Sequence, residues 1–244
     1  MGVPTLGCHC AVCRSTDAHD RRTRPSILVE FDGRHVVVDT TPDFRFQAMC
    51  AGLERLDAVL FTHGHADHIM GLDDIRPFNL KQGGAIPIYA SAETLKILQR
   101  TFAYIFDDAP SESSLPGVEL HAIAGKFLVQ GAEVIPIPAR HGKNLVLGFR
   151  FGDAAYLTDF STLPESSKPL LAGLDHLILD ALRYTPHPMH SNVEQSLALV
   201  EELKPRQAWF THICHDLGHE EANARLPENV RLSYDGLVLD SEIA

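Results

Sequence analysis

The stretch FTHGHADHIMG, residues 61–71, gathers His63, His65, Asp67 and His68 within six positions, directly after the apolar run LDAVLF. Imidazole nitrogens and carboxylate oxygens are the donors that borderline divalent cations take up. In an extended segment His63 and His65 point to the same side, and a turn into a helix near Ala66 aims Asp67 and His68 elsewhere. One short loop of this kind can feed two neighbouring metals. A solvated polar loop is the plain alternative, and the density of ligand types argues against it.

Six residues cannot complete two coordination shells, so other strand ends must contribute. His141 follows a β-rich run in PARHG, Asp159 follows AYLT, and His212 follows AWFT. Taken singly, each reads as ordinary strand-end polarity. Their shared position just past an apolar run makes them a set.

A second cluster lies near the start, where CHCAVC places Cys8, Cys10 and Cys13, three of the five cysteines, within six positions. That spacing suits thiolate ligation of one structural zinc better than a disulfide framework. A tetrahedral site needs a fourth ligand. His215, three residues past His212 in THICH, is the best candidate, and Cys214 is the alternative. Reactive or merely buried thiols are the plain reading of the same residues.

These side chains need strands to carry them. Residues 26–31 and 35–39 are β-rich and joined by Asp32-Gly33, a hairpin signal. Pro42 opens a helical stretch to about Ala51, and residues 56–61 and 86–90 read as buried strands. Ser91 caps a helix running to about Tyr104, with Leu95, Ile97, Leu98 and Phe102 as its apolar contacts. Residues 107–117 read as a surface loop. Further strands are expected at 134–135, 145–151, 154–157, 174–179, 207–211 and 237–239, with a helix at 192–203. This order suggests a single α/β domain over 1–244, with two sheets packed face to face and helices outside.

The chain has 244 residues, is 45% hydrophobic and carries a formal charge of -11. A core of ordinary size is within reach. The acidic balance argues against a general grip on nucleic acid or acidic lipid and favours small substrates. With no apolar stretch near membrane-spanning length and no secretion signal, the cytoplasm is the expected location.

The ordered set resembles the metallo-β-lactamase fold of dinuclear hydrolases, an αββα sandwich of two mixed sheets flanked by helices. By that resemblance His63, His65 and His141 would hold one divalent cation, Asp67, His68 and His212 a second, and Asp159 would bridge them. Such a pair, zinc, manganese or iron, lowers the pKa of water enough to make a nucleophile at neutral pH. Asp39, ending the strand HVVVD, matches the carboxylate this superfamily places behind the metal loop, where it would orient a ligand imidazole. A strand-end cap is its plain alternative.

CHCAVC, TRPSILVE, THGHADH and THICH together look like the phosphoribosyl 1,2-cyclic phosphate phosphodiesterases of the carbon-phosphorus lyase pathway. Members carry a structural zinc beside a dinuclear centre. The pyrroloquinoline quinone biosynthesis protein B branch shares the cysteines but typically lacks the full metal loop, which is present here. Relatives begin with a strand and a glycine-rich turn before the GVP element, and this chain starts at Met1-Gly2-Val3-Pro4, so that first strand is expected to be missing.

His190, in MHSNVE before a helix, is similar to the H-S-T element of tRNA 3'-processing endonucleases, where the histidine assists the leaving group. Helix capping by Ser191 or Asn192 is the plain reading there. Arg76, Arg140, Lys143 and Arg183 are weaker candidates for holding a second phosphate. The expected function is hydrolysis of a small cyclic phosphodiester by a metal-activated nucleophile, with Asp39, Asp67 and His190 at the chemistry. An acyl hydrolase on lactones or thioesters, and a non-enzymatic zinc-stabilised binding protein, are the alternatives. The expected partners are a small phosphorylated substrate and neither membrane nor nucleic acid, with a homodimer admitted.

Overall fold

The computed structural model describes residues 2–107 and 113–242, so residues 108–112 of the expected loop at 107–117 lie outside the described residues. The chain folds as two compact units, Arg24–Gly131 and the combination of Met1–Thr23 with Ala132–Ala244.

The first unit opens with β1 (Ile27–Phe31) and β2 (Arg34–Val38), an antiparallel hairpin. Asp32 and Gly33 take φ of 46° and 68°, the doubly left-handed turn whose twist matches its strands. Helix α1 (Phe44–Cys50) then leads to β3 (Ala58–Leu60), the short helix α2 (Ala66–Ile69), α3 (Arg76–Gln82) and β4 (Ile86–Ala90). Ser91 accepts a hydrogen bond from the Thr94 N–H and starts α4 (Ala92–Thr101). Phe102 breaks the single expected helix by leaving helical backbone at φ -111°, and α5 (Ala103–Phe106) follows. Strands β5 (Val118–Ala122) and β6 (Phe127–Val129) end the unit.

β1 to β5 lie side by side in sequence order, and β2, β3, β4 and β5 run parallel. Parallel crossovers bury their strands, which explains the runs VVV and AVL without polar alternation. Val37, Val59, Ile86, Ile88, Leu95, Leu98, Phe44 and Leu72 close one core.

The second unit holds β7 (Ala132–His141), β8 (Asn144–Phe151), β9 (Ala154–Leu157), β10 (His176–Asp180), α6 (Val193–Leu203), β11 (Gln207–Thr211), α7 (His219–Asn223) and β12 (Val230–Leu232). β7, β8 and β9 form an antiparallel meander, and β9 to β12 are parallel neighbours. Each unit therefore contains a mixed sheet. The closing strand expected at 237–239 is absent, and β12 takes the place beside β11. Three residues with Val238 83% exposed bury too little to offset ordering, whereas Val230 and Leu232 are buried in the second core.

Two reversals of direction separate β7 from β9, so β7, β9, β10 and β11 all end at the same edge of their sheet. In the first unit β2 and β3 likewise end together. Carboxyl ends of parallel strands are where open α/β sheets place their functional side chains.

Candidate metal centre

In the first unit β2 gives way to Asp39 and β3 to Thr62 and His63. Asp39 sits in the left-handed region at φ 66°, uncommon outside glycine, with no exposed surface. Its carboxylate accepts from the Thr62 N–H at 2.9 Å and the Thr62 hydroxyl at 2.7 Å, and Oδ2 lies 2.7 Å from His68 Nδ1. A carboxylate only accepts when ionised, so His68 carries its proton on Nδ1 and presents Nε2 as a lone-pair donor. Burial pushes the Asp39 carboxyl up, against the pull of His68 and Thr62.

His63 lies 3.0 Å from the Thr62 hydroxyl through Nδ1. The His63 ring is 4.5 Å from that of His65 and 4.4 Å from that of His68. His65 stands at the exposed start of α2, and Asp67 in its first turn is half-buried. Gly71 lets this loop close, because a Cβ there would collide with the Thr41 carbonyl and Phe44. Its N–H donates to the Thr40 carbonyl at 2.9 Å.

In the second unit His141 ends β7 and lies 2.6 Å through Nδ1 from the Met189 carbonyl. A carbonyl cannot donate, so the proton again sits on Nδ1 and Nε2 is left as the lone-pair nitrogen. Asp159, past β9, and His212, past β11, both adopt left-handed backbone, at φ 53° and 54°. The Thr158 hydroxyl donates to Asp159 Oδ1, and that same oxygen is 3.0 Å from His212 Nε2.

Asp180, at the end of β10, is fully buried and holds His190 Nδ1 at 2.9 Å. The His190 ring stacks on His212 at 4.7 Å and meets His141 edge-on at 4.7 Å. Asp159, Asp180, His190 and His212 each bring a ligand-type atom within 4.8 Å of the others. Asp180 is a site candidate that was not expected from the sequence. It closes an apolar run, HLIL, as Asp39 and Asp159 close theirs, and that signal was available.

The thiol cluster lies wholly in this unit. His215 Nδ1 is 3.2 Å from Cys8 Sγ, 3.4 Å from Cys10 Sγ and 3.6 Å from Cys13 Sγ. Tetrahedral zinc with ordinary Zn–S and Zn–N bonds sets those atoms about 3.6 Å apart, so the four residues fit the ion. Cys214 instead turns Sγ toward the Asp216 N–H. The Cys13 N–H, against the cost of burial and with help from His215, brings the Cys10 thiol down to about 6, which favours the thiolate a metal takes.

Of the two expected caps of α6, Asn192 is the one formed, with Gln195 completing a capping box, so Ser191 is not the cap. Buried Ser191 shares a 2.7 Å contact with the Ser196 hydroxyl, which donates to the Asp180 carbonyl. Arg183 spends its guanidinium on the carbonyls of Thr185 and Pro186, and Arg76 donates to the Ser114 carbonyl. Arg140 pairs through its backbone with Thr162, and Lys143 is exposed.

Residues 34–213 match a family described as "Beta-lactamase superfamily domain". The chain is 36% identical over 244 residues to an octanoyltransferase of Porphyromonas gingivalis, covering 97% of this chain and 48% of that one, so it spans about half the length of that relative. Among solved structures, a diphosphatase from the PhnP family superposes with a TM-score of 0.93 at 50% identity, covering 100% of this chain and 94% of that one. Zinc-bound PqqB from Methylobacterium extorquens superposes with a TM-score of 0.75 over 98% and 96% of the two chains, and at 23% identity it shows the fold alone. The chain belongs to the beta-lactamase superfamily, with the metallo-β-lactamase fold, and within it to the PhnP family.

Proposed function

We propose that this hydrolase cleaves a phosphoryl bond in a small molecule, with two divalent cations at the reaction centre and a third, zinc, at the thiol cluster. The ligand assignment follows the family. His63, His65 and His141 would hold one cation, Asp67, His68 and His212 the other, and Asp159 would be shared. When bound, such cations polarise a phosphoryl oxygen and bring the pKa of water toward neutrality.

The observation that carries the phosphoryl reading is the His190–Asp180 pair. Asp180 fixes His190 Nδ1 at 2.9 Å and turns the opposite nitrogen toward proton transfer. Expelling an oxyanion is the costly half of phosphoryl hydrolysis, and an imidazole oriented by a buried carboxylate suits that task. Asp39 acts through His68, which it holds in one tautomer.

A small cyclic phosphodiester is the first substrate class, in keeping with the motif resemblance. A diphosphate is the second, favoured by the 50% identical diphosphatase. No helix among the described residues is long and apolar enough to cross a membrane. A cytoplasmic location and a homodimer complete the proposal.

The test is a zinc- or manganese-reconstituted panel of cyclic phosphodiesters, diphosphates, lactones and an octanoyl thioester. Turnover concentrated on the phosphoryl compounds is expected. Preference for the lactone or thioester would replace the phosphoryl reading with acyl hydrolysis.

A further inference from the structure

We infer that His187 touches the substrate and recognises an anionic leaving group, an inference that rests on the phosphoryl reading above. The segment ALRYTPHPMHSN, residues 181–192, carries Arg183, His187 and His190 and no acidic residue, in a chain whose formal charge is -11. Arg183 is its one formally charged residue.

The loop is held, not loose. Arg183 Nε donates to the Thr185 carbonyl at 3.2 Å and Nη2 to the Pro186 carbonyl at 3.1 Å. Asn192 Nδ2 donates to the Tyr184 carbonyl at 3.1 Å. Leu182 N–H to the Ser191 carbonyl and Val193 N–H to the Arg183 carbonyl, both 3.0 Å, close its base. The arginine is thus a positioning residue, and what it positions is the pair of histidines further along.

Half-buried His187 accepts the Met189 N–H at Nδ1, at 3.2 Å. A ring nitrogen that accepts carries no proton, so the neutral ring has its proton on Nε2. Burial, with His190 and Arg183 nearby, lowers the His187 pKa and keeps the ring in that neutral tautomer. Nε2 meets no hydrogen-bond partner among the described residues. The His187 ring lies 5.1 Å from that of His190. With His190 at the bridging oxygen, a donor one ring away reaches a non-bridging oxygen of the same departing group. A phosphate offers that oxygen, and a simple aryl oxide does not.

The experiment compares wild type, His187→Ala and His187→Gln, each metal-loaded, on methyl diphosphate and on bis(4-nitrophenyl) phosphate. Inorganic phosphate serves as the competitive inhibitor. For His187→Ala, kcat/KM on the diphosphate should fall roughly 10-fold, mainly through KM, and the phosphate inhibition constant should rise about as much. Turnover of the aryl diester should change less than about 3-fold. Glutamine, which keeps a donor, should restore most of the loss.

Equal losses on both substrates would mean that His187 only supports His190, and no loss on either would remove it from the site; both outcomes overturn the inference. Wild-type turnover of the aryl diester alone would leave the phosphoryl reading standing and sink this one. Turnover of neither would sink both.

Discussion

His212 and His215 stand three positions apart on the segment leaving β11, and they face different clusters: His212 Nε2 is 3.0 Å from Asp159, and His215 Nδ1 is 3.2 Å from Cys8. His212 takes left-handed backbone and the Cys214 N–H donates to the Leu182 carbonyl at 2.9 Å, so the short link between the two imidazoles is tied to the fold and couples them. His215→Ala should therefore lose one zinc per chain, lower the Tm by roughly 4–8 °C for a loss of about 2 kcal/mol, and also reduce turnover at least 10-fold. Metal analysis, calorimetry and kinetics on the same preparation check this. Full activity without that zinc would show the clusters to be independent.

Gly142 takes φ 59°, and a Cβ there would strike the Met189 side chain. Met189 also supplies the carbonyl that fixes His141. Gly142→Ala should destabilise by about 1–3 kcal/mol from strain and overpacking and should weaken metal retention, read as faster inactivation by a chelator. A stability loss with unchanged chelator kinetics would confine the effect to packing.

Asp180→Asn and His190→Ala should each lower kcat by on the order of 10²–10⁴. The double variant should be little worse than either single one, since the two residues act as a unit. Additive losses would separate Asp180 from the proton transfer. Circular dichroism on the asparagine variant guards against a folding explanation, because buried Asp180 keeps a near-isosteric side chain.

Asp57 gives a stability prediction away from the site. Burial raises its carboxyl, but the His35 N–H at 3.0 Å and Arg55 Nε at 2.7 Å outweigh it and hold the group below the ordinary carboxylate range. A folded-state pKa below the unfolded one gives stability that is complete above the unfolded value, near pH 4, and is lost as pH falls through the folded value. In urea unfolding, wild type should exceed Asp57→Asn at pH 6, and the gap should close as pH falls below about 4. A gap that stays constant with pH would remove the titration from the explanation.

Much of this was legible because strand ends announce themselves. β9, β11 and α6 fall where apolar runs and the Asn192 cap place them, and His63, His65, Asp67 and His68 follow an apolar strand. Pairings that depend on tertiary contact were not legible. Nothing local tells that the Met189 carbonyl fixes His141, or that Arg183 spends its donors on its own loop rather than on a ligand. The expected strand at 237–239 failed for the same reason: a short apolar run becomes a strand only where a neighbour offers hydrogen bonds, and β11 is already paired with β12.

The most direct test is the metal content of purified, reconstituted protein. Three divalent ions per chain are expected, of which one leaves with Cys13→Ser and two resist that substitution but leave with Asp159→Asn. At most one ion per chain, lost entirely on removal of the Cys13 thiol, would contradict a two-cation reaction centre and with it the hydrolytic chemistry proposed for this chain.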